Sequence, residues 1–191
     1  MRLLVALICS LIAVGGASAQ DERPLVEQWQ EVVQYGIDSE VEELLPRISG
    51  QGERRLDDAL SERLEDTRSA DLQEKLLDYF TEQQSQAGVT AAREMILSYD
   101  EPPAGVLQAA IVYLTEVEAA LDSALLDRYA GIANGRAYLP AAAAVRAIGT
   151  LGGEDAALRL MQLYERATST DLRGAVLRAI GETGDERAVE M

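Results

Sequence analysis

The chain has 191 residues, a formal net charge of −16 at pH 7, one cysteine and no histidine. Without histidine the sequence cannot form a Ser-His or Cys-His catalytic pair, and zinc or haem would lack its usual ligands. A surface this acidic repels nucleic-acid phosphates and anionic lipid head groups but attracts basic groups. We therefore expect no catalytic, cofactor or metal site and no nucleic-acid binding. The acidic residues either form a solvated surface or attract a protein partner that carries a basic patch.

Residues 1–19 have the layout of a secretory signal peptide. A short positive start precedes an apolar run over residues 3–14, and residues 17–19 form an A-x-A cleavage pattern. The run is shorter than the ~20 apolar residues of a membrane-spanning helix, which disfavours a retained anchor. Cleavage would remove Cys9, so we expect a mature domain of residues 20–191 in the periplasm or outside the cell, without a membrane span or a disulfide.

The first two predicted helices meet at a glycine. Residues 24–35 place apolar side chains on one face, which predicts a helix. Gly36 follows at a position where a helix can end in the left-handed conformation. Ser39 and Glu42 have the spacing of a capping box for the next helix. Pro46 lies inside that helix and is expected to bend or shorten it.

The middle of the chain continues as helices with polar starts. Residues 53–67 carry a narrow leucine stripe typical of a surface helix, which we interpret as an extra element between repeats. Ser69 or Asp71 caps the next helix, since both side chains can accept a free backbone N–H. Thr115 begins a second capping-box pattern, which predicts a helix over residues 119–129.

The C-terminal part of the chain contains an internal repeat. Residues 145–158 and 176–189 share an Arg-Ala-Ile-Gly run, a second glycine and a later alanine at a spacing of 32 residues. A fixed period of about 20 to 50 residues is typical of stacked repeat proteins. A helix is predicted over residues 170–183, and small residues at the hinges should let two helices approach closely. The hinge and cap residues of this repeat are Gly149, Gly152, Gly181, Gly184 and Asp185.

Residues 179–189, with the sequence AIGETGDERAV, resemble the HEAT repeat in the short form first noted in phycobilisome lyases. The clear similarity covers residues 140–191, whose last repeat is incomplete, and a degenerate version extends over residues 24–139. The resemblance implies an all-α fold, a right-handed α-solenoid of stacked antiparallel helix pairs. Arg146 and Arg178 recur at the repeat period, and they either hydrogen-bond between repeats or reach solvent.

The predicted solenoid leaves three functions open. The first is an exported, non-enzymatic scaffold of the cell envelope that binds another protein through the curved face of its second helices. Glu94 and Glu165 are expected to contact this partner. The second is a structural spacer within a longer envelope protein. The third is a lyase-like enzyme or cofactor chaperone, which the absence of Cys and His from the predicted helices disfavours. The second helices are expected to start near residues 39, 88, 118 and 154.

Overall fold

The computed structural model describes residues 24–98, 102–135 and 137–184. Within these ranges the chain forms ten α-helices and no β-strand. None of the helices described is long and apolar enough to span a membrane. A short 3₁₀ turn, Gly153–Asp155, precedes the ninth helix. The helices are α1 (Leu25–Tyr35), α2 (Asp38–Gln51), α3 (Asp57–Asp66), α4 (Ala70–Glu82), α5 (Val89–Leu97), α6 (Ala104–Glu116), α7 (Ser123–Ala133), α8 (Tyr138–Leu151), α9 (Ala156–Arg166) and α10 (Thr170–Thr183).

Polar side chains cap the start of three helices. Ser69 caps α4, Asp122 caps α7 and Ser169 caps α10, and each accepts the backbone N–H three residues later. Such a bond satisfies one of the four N–H groups that a helix start leaves without an internal partner. Gly184 follows α10 in the left-handed conformation, with φ 65°. Glycine adopts this conformation without the steric cost that a Cβ atom would impose.

The described helices form five antiparallel pairs that stack in two layers. The even-numbered helices pack against one another in chain order, and their contacts are more extensive than those between the odd-numbered helices. The structure confirms the predicted all-α stack of helix pairs, also before residue 140, where the sequence repeat is weak. Successive pairs start 32 to 34 residues apart, because their first helices begin at Leu25, Asp57, Val89, Ser123 and Ala156.

The core lies between the two layers, and its composition changes along the stack. In the first three pairs it contains large side chains, such as Phe80 and Tyr113, whose ring centroids are 5.9 Å apart. In the last two pairs, α8 and α10 lie against each other. A Cβ atom on Gly149 of α8 would be only 3.1 Å from the Cβ of Ala179 in α10. This close approach of two backbones requires small residues.

The predicted grouping of the helices was wrong at one point. The segment over residues 53–67 is no extra element, because it contains α3, which pairs with α4 as the first helix of a regular unit. Although α3 is mostly polar, its narrow leucine stripe is buried, and one buried seam is enough to complete a pair. The second helices are therefore α2, α4, α6, α8 and α10. Of the predicted starts, those near residues 88, 118 and 154 precede first helices instead.

Both predicted capping boxes were also wrong. Ser39 lies inside α2, and the N–H of Ile37 donates instead to the carboxylate of Glu40 at 3.0 Å. Thr115 lies inside α6, where its hydroxyl donates to the carbonyl of Ile111 at 2.7 Å. A hydroxyl residue can be satisfied by the preceding turn of a helix as well as at a cap. The S/T-x-x-E pattern therefore does not fix the helix boundary here.

Gly36 and Pro46 adopt conformations other than those expected from the sequence. Gly36 is extended, with φ −69° and ψ 159°, rather than left-handed. A Cβ atom there would lie 2.5 Å from the carbonyl oxygen of Val32, so the short connection still requires glycine. Pro46 lies within α2, which continues to Gln51, so the proline does not shorten the helix.

Candidate functional site

The even-numbered helices lie side by side in one row, and we name their outward surface the even-helix face. One groove of about 580 Å³ lies between α2 and α4 on this face and is named the α2–α4 groove. A second groove of about 440 Å³ crosses α6, α8 and α10 and is named the α8 groove. Concave surfaces of this kind let side chains from several helices contact one ligand.

The lining of the α2–α4 groove is partly apolar. Leu45, Pro46 and Tyr79 supply this apolar surface. Because Pro46 has no N–H, the backbone carbonyl of Glu42 lacks its usual intrahelical donor. The hydroxyl of Tyr79 donates to the carboxylate of Asp57 at 2.8 Å, which fixes the ring at the wall of the groove. Burial and this hydrogen bond raise the pKa of Tyr79, so the phenol stays neutral.

Four charged side chains line the same groove, and three of them are carboxylates: Glu42, Asp78 and Glu82, beside Lys75. The Nζ atom of Lys75 is 2.5 Å from a carboxylate oxygen of Glu42, and this bond raises the pKa of the ammonium group. Asp78 and Glu82 lie one turn apart on α4, are exposed, and form no ion pair within the described ranges. The groove thus offers two unpaired carboxylates to a ligand.

The α8 groove is built from smaller residues with apolar side chains at its edge. Ala142, Ala143 and Ala175 belong to its lining. Tyr138 and Leu139, at the start of α8, line the same groove and are 47% and 59% exposed. Large apolar side chains that are exposed together beside a groove are typical of a surface that contacts another molecule.

The two arginines that recur at the repeat period, Arg146 and Arg178, both line the α8 groove. Arg146 donates to Glu116 of α6 at 2.8 Å and so links neighbouring repeats. Arg178 is exposed and makes no ion pair with any residue that the structure describes. Of the two alternatives that the sequence left open, Arg146 therefore forms the bond between repeats, and Arg178 reaches solvent.

A buried hydrogen-bond network supports the wall of the α2–α4 groove. Asp57 is 7% exposed and accepts from the hydroxyls of Tyr79 and Ser85, at 2.8 and 2.5 Å. Arg54 donates to the same carboxylate at 2.9 Å, and Tyr113 donates to the carbonyl of Ser85 at 2.7 Å. A buried carboxylate needs such donors to offset the loss of hydration. The network links the second helix pair to the third and orients Tyr79.

The residues predicted to contact a partner lie away from both grooves. Glu94 on α5 and Glu165 on α9 are exposed, but these helices belong to the odd-numbered layer. Among the predicted hinge and cap residues, Glu42 is part of the α2–α4 groove. Gly152 follows α8 as its cap, where a Cβ atom would lie 2.3 Å from the carbonyl oxygen of Ile148.

Gly149 and Gly181 hold equivalent positions in the repeat but have different surroundings. Gly149 lies against Ala179, whereas a Cβ atom on Gly181 would meet no described atom within 4 Å. The close helix approach predicted at both glycines is therefore observed only at Gly149. Asp185 lies outside the described residues.

Sequence reasoning did not identify Asp78, Glu82 or Tyr138 as groove residues. A usable signal was present, because Lys75 follows Glu42 by 33 residues, close to the repeat period. This spacing pairs the ammonium with one carboxylate and leaves the two acids on α4 without a partner. The exposure of Tyr138 had no such signal, because an apolar run follows it directly in the sequence.

Residues 140–166, which extend from α8 into α9, match the PBS lyase HEAT-like repeat family. The comparison with curated proteins gives no match. The family match and the stack of helix pairs together support a HEAT-like repeat protein. Repeats of this kind generally mediate contacts with other proteins, through the extended surface that stacking creates.

Proposed function

We propose that this protein is an exported, non-catalytic scaffold that binds another protein of the cell envelope through its even-helix face. The layout of residues 1–19 supports export, and the HEAT-like stack supports a scaffold. Because a fold alone does not determine function, the proposal depends on the surface that this stack presents.

The observation that carries the proposal is the occurrence of two open grooves along one row of helices. The even-numbered helices pack more closely than the odd-numbered ones. A stack curves towards the layer whose members lie closer together. The even-helix face is therefore the concave surface of the stack. Stacked repeats bind partners on such concave surfaces.

The α8 groove supplies the apolar part of the proposed contact. Tyr138 and Leu139 are exposed at its edge, and Arg178 lies in its lining without an ion-pair partner among the described residues. Tyrosine and arginine are enriched among the residues that contribute most to protein–protein binding. We therefore expect this groove to contribute much of the affinity for the partner.

The test is a capture experiment with the tagged full chain, produced in its native envelope and cross-linked mildly. One double variant, Tyr138→Ala with Leu139→Ala, removes the apolar edge of the α8 groove. A second, Glu94→Arg with Glu165→Arg, changes the odd-numbered layer that the sequence favoured. We expect the first variant to lose the partner and the second to keep it, with unchanged circular dichroism in both.

Each result of this capture experiment has a defined meaning. Loss of the partner from the odd-layer variant alone would move the binding surface to Glu94 and Glu165. Capture of no partner by any form would favour the spacer alternative. Export is checked separately, since the processed chain should begin at residue 20 and fractionate with the envelope.

A further inference from the structure

The α2–α4 groove presents hydrogen-bond acceptors that carry negative charge. Asp78 and Glu82 are exposed carboxylates without an ion pair in the described part of the chain. The carbonyl of Glu42 has lost its intrahelical donor because Pro46 lacks an N–H. A ligand that complements this set must bring several donors and a positive charge.

We propose that the α2–α4 groove binds a basic segment of the partner protein and accepts an arginine side chain between α2 and α4. This inference rests on the proposed function and adds the chemistry of the partner and the place where it binds. The guanidinium group fits because it has five N–H donors, no acceptor, and a planar shape suited to carboxylates.

The ammonium group of Lys75 does not neutralise the two free acids. Its Nζ atom is bonded to Glu42 at 2.5 Å, across the groove from α4 to α2. With three carboxylates and one ammonium in its lining, the groove has a net negative charge. Asp78 and Glu82, four residues apart on one helix, repel each other until a cation lies between them.

The apolar part of the groove fits the rest of such a segment. Leu45, Pro46 and Tyr79 can cover the methylene groups of an arginine, which bury readily against apolar surface. The volume of about 580 Å³ is also large enough for a neighbouring apolar side chain. The occupant is thus a segment in which arginine alternates with apolar residues.

Charge complementarity directs this segment to one groove and away from the other. The lining of the α8 groove contains Arg146 and Arg178 beside one acid, Glu182, so its net positive charge would repel an arginine of the partner. By contrast, residues 21–82 contain 18 acidic and seven basic side chains, so their field attracts a basic segment towards α2 and α4. The two grooves therefore select different parts of a partner.

The experiment measures fluorescence anisotropy with the purified full chain and a labelled peptide of alternating leucine and arginine. A matched peptide carries citrulline, which keeps the shape of arginine without its charge. Two double variants change the net charge equally: Asp78→Asn with Glu82→Gln in the groove, and Glu94→Gln with Glu165→Gln on the odd-numbered layer. All four positions are exposed, so both variants should fold.

We expect the arginine peptide to bind and the citrulline peptide to bind much more weakly. Loss of two charge pairs in the groove variant should weaken binding about tenfold. The odd-layer variant should change the affinity less than about twofold, because its charges lie on the other layer. Unlabelled spermine should displace the peptide only at higher concentrations than the unlabelled peptide itself.

Several outcomes would overturn the inference. Equal weakening in the two variants would mean that net charge alone attracts the peptide. Equal binding of the citrulline peptide would exclude a guanidinium site, and displacement by spermine as readily as by peptide would indicate a site for any polycation. An envelope partner that the Tyr138/Leu139 variant loses but the Asp78/Glu82 variant keeps would leave the proposed function intact and reject this inference alone.

Discussion

The first three helix pairs and the last two are held together in different ways. In the first three, large side chains fill the core, and the buried network of Asp57, Ser85 and Tyr113 links the second pair to the third. In the last two, small residues let the even-numbered helices touch, and Gly149 of α8 lies against Ala179 of α10. A unit of 32 to 34 residues can thus be stacked either through polar groups or through close backbone packing.

This difference explains why the two grooves are unlike. Helices α2 and α4 make less extensive contact than α8 and α10, so the space between them stays open as the α2–α4 groove. Because α8 and α10 lie close together, the α8 groove runs over their surface and includes alanines in its lining. The residues that join two repeats therefore also determine the shape of the surface above them.

The largest effect is expected when the polar network of the first pairs is broken. Asp57→Ala should lower the free energy of unfolding by about 3 kcal/mol, because the buried hydroxyls of Tyr79 and Ser85 would lose their acceptor. Urea denaturation followed by circular dichroism measures this change. Asp58→Ala is the matched control, since Asp58 is exposed and its loss should change stability by about 0.5 kcal/mol or less.

Amide hydrogen exchange of the same variant would show whether the effect is local. Each repeat contacts only its neighbours, so Asp57→Ala should speed exchange in α3 to α6 and leave α10 nearly unchanged. An equal increase in exchange rate along the whole chain would contradict the view that the first three pairs and the last two are stabilised in different ways.

The last two pairs should be sensitive to size rather than to polarity. Gly149→Leu should lower the free energy of unfolding by about 2 kcal/mol, because the new side chain would collide with Ala179 in a closely packed contact. Gly181→Leu is the control at the equivalent repeat position, where a Cβ atom would meet no atom of the described residues within 4 Å. It should leave stability unchanged or raise it by about 0.5 kcal/mol, since leucine favours a helix more than glycine does. Comparable losses of stability in both variants would show that the place in the repeat matters, and not the contact between Gly149 and Ala179.

A smaller effect is expected at alkaline pH. Burial and the nearby Asp57 carboxylate raise the pKa of Tyr113 from 10.0 to about 12. The folded state therefore holds this proton more tightly than the unfolded state, so the resulting stability is complete below pH 10 and is lost as the pH rises to about 12.

Replacement of the buried tyrosine should reduce this pH dependence. Tyr113→Phe should lose less stability than the unmodified protein between pH 10 and pH 12, as measured by urea denaturation at each pH. Tyr138→Phe, which removes a hydroxyl from a tyrosine that is 47% exposed, is the matched control. If Tyr113→Phe keeps the full pH dependence, titration of this phenol does not weaken the fold.

The repeat architecture could be predicted from the sequence, but the grooves could not. The helix over residues 170–183 was predicted with its observed bounds, because polar residues precede it and Gly184 follows it. The helix predicted over residues 119–129 begins instead at Ser123, since Asp122 and not Thr115 marks its start. Groove shape depends on the distance between helices, which packing sets and local patterns do not encode.

The same limit applies to the residues proposed to bind a partner. Glu94 and Glu165 were predicted from charge and a count of helices, and the count failed because α3 did not look like part of a repeat. One misplaced helix moves every later residue to the opposite layer of the stack. Asp78 and Glu82 became candidates only when the partner of Lys75 was known.

The smallest effect should follow loss of the ion pair between Arg146 and Glu116. Their side chains are 59% and 37% exposed, and ion pairs in water contribute little because solvent screens both charges. Glu116→Gln should therefore lower the free energy of unfolding by about 0.5 kcal/mol or less in urea denaturation. If the free energy of unfolding falls by more than about 1 kcal/mol, polar links between α6 and α8 also stabilise the C-terminal pairs. The first three pairs and the last two would then differ only in how much they depend on polar links.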